Sequence, residues 1–286
     1  MTDRPILFSS PMIRALLDGR KTQTRRVLKL NGARPAFCGG RGDLDDPTCW
    51  GWEDTNHGDW ITLEKDPGQR MGWRDWVGAP RAGDRLWVRE AWQTVDAYED
   101  VKPSEMGGDE PILYVADDYV ERWGWPGCGG RWGRKRAGIH MPRWSSRLTL
   151  TVTDVRVQRL QEITVEDALA EGIVDHRQTI IGAHGAGGHH HEITADGYSH
   201  VDEIDIDDLP DFWDSPKDAF SDLWDGLNYD RGYGWQTNPW VVAYTFTLAR
   251  QNIDATGAKM VRDMDFNREC IDGEVQRFAQ MARRED

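Results

Sequence analysis

Cysteine is scarce and poorly placed for a scaffold role. Of 286 residues only four are cysteine, and none falls in a Cys-x-x-Cys pair, so a disulfide-stapled or zinc-ribbon architecture finds little support. Cys38, Cys49, Cys128 and Cys270 read instead as reduced thiols of a cytoplasmic protein, with a zinc site from Cys38, Cys49 and histidines as the weaker option. No apolar run approaches the ~18 residues that a membrane span needs, and no short apolar leader opens the chain. Membrane insertion and secretion are therefore not expected. Basic charge is also in short supply. A net charge of -14 argues against a protein that coats nucleic acid without selectivity, because phosphate neutralisation needs a basic surface. No internal repeat is visible.

What is present is uneven. Fifteen tryptophans and 38% apolar residues can build a sizeable core, while 30 glycines and a mean hydropathy of -0.69 assign much of the length to polar loops. Residues 1–37 carry eight Lys/Arg against Asp3 and Asp18, a local balance of +6. Residues 175–214 carry ten Asp/Glu against Arg177, a balance of -9. A basic pocket in an acidic protein suits a small anionic or polar planar ligand better than a long duplex.

The basic balance is concentrated in Gly19-Arg20-Lys21-Thr22-Gln23-Thr24-Arg25-Arg26. It follows a run in which Ile13, Leu16 and Leu17 recur at helical spacing. Pro11 suits the first turn of that helix and Gly19 the position just past its end, where φ is often positive. The chain then presents an amine, two hydroxyls and guanidinium forks within one short segment. In general such a cluster is more often a solvated surface than a site; the accompanying blocks in their order favour the site.

The stretch Leu16–Arg26 resembles the signature of ASCH domains, a branch of the PUA-like β-barrel superfamily. It is similar in particular to the bacterial N4-acetylcytidine amidohydrolases, with their Gly-Arg-Lys-Thr-x-Thr segment, and the whole chain resembles longer ASCH proteins of phages and prophages. The likeness covers blocks at 5–28, 82–92, 146–173 and 215–248, about half the chain. It implies an α+β fold, a small PUA-like barrel with flanking helices and large irregular insertions. One such domain, 1–249, would carry insertions at about 31–81, 93–145 and 174–212, followed by a polar, helical tail at 250–286. It also implies a catalytic set of Lys21, Thr24 and Glu171, no metal and no cofactor. The implied partner is a modified nucleoside or nucleic acid in the cytoplasm of a bacterial host; nothing fixes the oligomeric state.

The blocks themselves read coherently. Gly83-Asp84 forms a turn before an alternating strand at Leu86–Val88, and Ile112–Ala116 is a further strand. Residues 147–160 give the strongest β pattern, with a change of phase near Asp154 as at a bulge. Thr164, Asp167 and Gly172 read as N-cap, third helical residue and terminal glycine. Residues 212–227 resume helical spacing, and Asn238–Leu248 is a closing strand. The Trp-rich 31–81 segment, with Trp50, Trp52, Trp60, Trp73 and Trp76, reads as ordered but irregular, as extra core or as a stacking platform for a base. Gly182–Gly188 and His189-His190-His191-Glu192 read as a flexible, solvated loop in preference to a metal site with His200.

Amide hydrolysis needs a nucleophile, a base and a proton donor for the leaving amine. Thr24 offers the hydroxyl, and Lys21 can act as a neutral amine if burial lowers its pKa. Glu171, with Glu166 as competitor, supplies the carboxylate. Arg20, Thr22, Arg25, Arg26 and Glu90 are the candidates for substrate binding, Glu90 being equally readable as half of an ion pair. Lys21 and Thr24 converge only if the segment bends, since residues three apart on a flat strand face opposite ways. The alternatives to hydrolysis are a non-catalytic module that binds RNA or modified DNA, and a phage protein that contacts the host.

Overall fold

A computed structural model describes residues 1–29, 35–38, 49–54, 59–63, 79–121, 131–176, 180–184, 190–194, 198–199 and 213–255. The chain is mixed α+β, with many short strands and few helices. In order, β1 (Asp3–Leu7) leads into α1 (Ser10–Leu17), β2 (Gln23–Val27), β3 (Ala36–Phe37), β4 (Trp50–Asp54) and β5 (Asp59–Thr62). Next come β6 (Arg85–Arg89), β7 (Trp92–Gln93), β8 (Ile112–Tyr114), β9 (Tyr119–Glu121) and the long β10 (Thr149–Arg159). Then follow α2 (Val165–Ala170), β11 (Val174–Asp175), β12 (Ile180–His184), β13 (His190–Thr194), β14 (Tyr198–Ser199), α3 (Pro216–Asn228) and β15 (Trp240–Ala249). The main sheet has five strands in the order β1-β6-β10-β15-β2, and no pairing among the described residues closes it on itself.

The chain divides into two compact units. One comprises Met1–Thr2, Pro11–Arg85 and Leu150–Leu248, the other Asp3–Ser10, Leu86–Thr149 and the stretch from Ala249. Most of the segment expected as an insertion at 93–145 thus lies in the second unit. The core of the first unit gathers Leu160, Ile163, Ala168, Ile173, Ala219, Phe220, Trp224 and Val241. Full burial of each large side chain there contributes about 1.5–3 kcal/mol. The second unit has its own core of Trp92, Met106, Ile112, Tyr114 and Met141.

Local rules explain the helices of the first unit. Helix α1 buries Ile13, Ala15 and Leu16 and stops at Gly19, whose φ of +76° an L side chain rarely adopts. Helix α2 starts where the Thr164 hydroxyl accepts the Asp167 N–H at 3.1 Å, and the chain turns away at Gly172, φ +104°. Helix α3 begins with Ser215 accepting the Asp218 N–H at 3.2 Å and Pro216 in its first turn. On β10 the buried apolar positions run Leu150 and Val152, then Val155, with Thr153 and Asp154 both exposed, so the phase shifts where the sequence pattern does.

Two readings need correction. The Trp-rich segment contains a three-stranded sheet, β3-β4-β5, of strands two to five residues long; Trp73 and Trp76 lie outside the described residues. Gly182 to His184 and His190 to Glu192 form the paired strands β12 and β13, with Gly182 opposite Glu192, not an open loop. His189, His200 and the acidic stretch 201–211 lie outside the described residues, as does 256–286 of the expected helical tail. Among the described residues no group of three or more His, Cys, Asp or Glu is placed to hold a metal, and no helix is long and apolar enough to cross a membrane.

The Gly83-Asp84 turn anchors the chain start. Asp84 Oδ1 accepts the Thr2 N–H at 2.6 Å and Oδ2 the Arg81 N–H at 3.0 Å. Burial works against the carboxylate charge, but the Arg81 and Thr2 donors outweigh it and hold the pKa below its ordinary value. Asp84→Ala is expected to cost about 1–3 kcal/mol in urea unfolding at pH 7. Because the folded-state pKa is the lower one, this contribution is present at neutral pH and fades as pH falls through that value. The variant therefore loses less stability on acidification than the parent.

Candidate functional site

Lys21 leaves α1 through the Gly19 turn, and its backbone N–H donates to Ala15 O at 2.9 Å. Its side chain has no exposed area. The amine donates to Glu171 Oε2 at 2.8 Å and to the Glu171 carbonyl at 2.7 Å. Desolvation lowers the Lys21 pKa, with Glu171 opposing and Arg26 and Arg25 adding to the fall. Glu171 occupies the C-cap of α2, just before the Gly172 turn. The pairing spans 150 residues of sequence and joins two of the three groups that the signature singles out.

Glu171 has a second cationic partner. Arg25 Nη1 donates to Glu171 Oε1 at 3.1 Å, and Arg25 Nη2 to Asp167 Oδ2 at 2.6 Å; Nη1 also donates to Gln23 Oε1. The arginine is 4% exposed, so it is committed to the protein interior and not offered to a substrate. Strand alternation explains this. In β2, Gln23, Arg25 and Val27 share one face, opposite Thr245, Ala243 and Val241 of antiparallel β15. Val27 and Val241 on that face pack into the core that α2 and α3 complete.

Thr24 and Arg26 project from the other face of β2, across from Tyr244 and Val242. Thr24 is 3% exposed, and its hydroxyl makes no hydrogen bond among the described residues. Arg26 is exposed, yet surrounding protein desolvates it enough to lower its pKa, with Glu171 and Tyr244 opposing. Lys21 precedes β2 and is not bound by its alternation.

The remaining candidates do other work. Arg20 braces the turn, donating to Asp18 Oδ2 at 2.9 Å and to Gly172 O at 3.1 Å. Thr22 is exposed, and its backbone ties Ala170 O to the Phe246 N–H, at 2.9 and 3.0 Å. Glu166 has none of the contacts that Glu171 makes. Glu90, in the second unit, is 1% exposed and held by Arg147 through bonds of 2.9 and 2.8 Å, which is the ion-pair reading. Sequence reasoning missed Asp167 and Gln23, which complete the buried network. The signal for Gln23 was its two-residue spacing from Arg25, which puts both on one face of a strand.

Comparison with protein-family models, with curated proteins and with solved structures finds no match for this chain.

Proposed function

We propose that the chain is a PUA-like, ASCH-type hydrolase that cleaves the exocyclic amide of an N4-acylated cytosine nucleoside or a related modified nucleobase without a metal. The observation that carries this reading is the Lys21–Glu171 pair: a fully buried amine of lowered pKa, 2.8 Å from a carboxylate. Arg25 holds the other oxygen of that carboxylate at 3.1 Å. The hydrogen-bonded amine and carboxylate make a proton relay. Thr24 Oγ attacks the acyl carbon while its proton passes to Lys21, then through the hydrogen bond to Glu171, and finally to the departing N4. Water next attacks the acyl-threonine ester; its proton goes to Glu171 and returns through Lys21 to Thr24, releasing the carboxylic acid. Arg26 orients the base by donating to its carbonyl.

The full chain should release cytidine from N4-acetylcytidine, followed by absorbance. Thr24→Val should remove turnover, and Arg26→Ala should raise KM about tenfold or more, the cost of losing one hydrogen bond from a charged donor. A second reading rests on the strand alternation that turns Thr24 and Arg26 away from Gln23 and Arg25. On that reading Arg26 and Tyr244 bind a base or a nucleic acid end without chemistry. Absent turnover, with RNA binding that weakens with salt and with Arg26→Ala, supports the binding module and rejects the hydrolase.

A further inference from the structure

The short sheet of the first unit places two of the four cysteines face to face. Strands β3 and β4 pair with Ala36 opposite Gly51 and Phe37 opposite Trp50, and one more step along the register brings Cys38 opposite Cys49. That step is hydrogen-bonded: the Cys38 N–H donates to Cys49 O at 2.7 Å. The Cys38 thiol lies over the same residue, its Sγ 3.2 Å from Cys49 O. Both residues carry thiols in this structure, Cys38 exposed and Cys49 half-buried. Directly opposed residues of a hydrogen-bonded antiparallel pair have Cα atoms about 5.5 Å apart, within the roughly 4.4–6.8 Å that a disulfide accepts.

We propose that Cys38 and Cys49 are a reversible thiol–disulfide site, oxidised by a small-molecule disulfide such as glutathione disulfide. The more exposed Cys38 reacts first. Its thiolate attacks one sulfur of glutathione disulfide, forming a mixed disulfide and releasing one glutathione thiolate. The Cys49 thiolate then attacks the Cys38 sulfur and expels the second glutathione. Two protein thiols are oxidised, one disulfide is reduced to two thiols, and the two protons pass to the released glutathiones. Exposed bridges have higher potentials than buried structural ones, so excess thiol reverses the reaction. The bond ties the end of β3 to β4, next to Trp50, whose ring packs edge-on against Trp240 and over Arg159.

The test uses the full chain with Cys128→Ser and Cys270→Ser, leaving only this pair. The protein is equilibrated with glutathione and glutathione disulfide, blocked with N-ethylmaleimide, and cut with trypsin. Cleavage after Lys29, Arg41 and Lys65 places the two cysteines on separate peptides, Leu30–Arg41 and Gly42–Lys65. The expected product is one species holding both peptides, two hydrogens lighter than their sum and separated again by dithiothreitol. It should be the main product in oxidising buffer and disappear when Cys38→Ser or Cys49→Ser is added, the remaining cysteine then carrying glutathione. Recovery of the two peptides separately, blocked or each bearing glutathione, overturns the proposal.

Discussion

Glu171→Leu is expected to lower stability by about 3–5 kcal/mol, because it removes the carboxylate that two buried cations share. Lys21 and Arg25 have side chains 0% and 1% exposed, and Glu171 is the carboxylate that both contact. Arg25 retains Asp167 at 2.6 Å; Lys21 loses its hydrogen-bonded carboxylate entirely. The companion variant Lys21→Met/Glu171→Leu should recover most of the loss, since a packed apolar pair often substitutes for a buried ion pair. Turnover should stay reduced by about 10²–10⁴ in both, the usual contribution of positioned acid–base groups. Urea unfolding and the nucleoside assay read the two effects separately. A single variant that loses less than about 1 kcal/mol would mean that these charges are not buried together. The pH dependence has a definite sign. The folded-state pKa of Lys21 lies below 10.5, so the unfolded chain binds more protons between the two values. Stability therefore gains with rising pH between those two values, and Lys21→Met removes the gain.

Much of this site was legible because local rules and tertiary structure agree there. Gly19 marked a helix end, Thr164 and Gly172 bracketed another, and those two turns are what bring Lys21 and Glu171 together. The spacing Thr164–Asp167–Gly172 placed Glu171 at a helix terminus without any knowledge of its partner. Arg25 was misjudged for a reason that a sequence does not carry. A cluster of cations looks solvated until something covers one face of its strand, and the covering elements, α2 and α3, arrive more than 100 residues later. Once β2 pairs with β15, alternation sends Arg25 inward and leaves Arg26 wet. Glu90 was left between substrate and ion pair, because its partner Arg147 lies 57 residues downstream. Strand β3 was missed because two residues have no period, and β4 and β5, at five and four residues, offer barely two cycles of alternation.

Arg147→Met is expected to cost the second unit about 3–5 kcal/mol, the penalty for leaving a buried carboxylate without its cation. Arg147 donates to both oxygens of Glu90 and to both of Asp117, at 2.8–2.9 Å. Its guanidinium also lies over the Tyr114 ring at 4.0 Å, so the variant loses packing along with charge. Burial already raises the Glu90 pKa against the pull of Arg147, and removing the arginine leaves burial unopposed. A carboxyl whose folded-state pKa exceeds its unfolded value stabilises the fold at low pH and loses that contribution as pH rises through the folded value. The cost of Arg147→Met should accordingly be smaller near pH 5 than at pH 8. Arg147→Met/Glu90→Leu should regain part of the loss at both. Turnover per folded molecule on N4-acetylcytidine should remain at the parent level in the double variant, because Glu90 is spent on Arg147. A selective rise in KM there would instead return Glu90 to the substrate, as the sequence allowed.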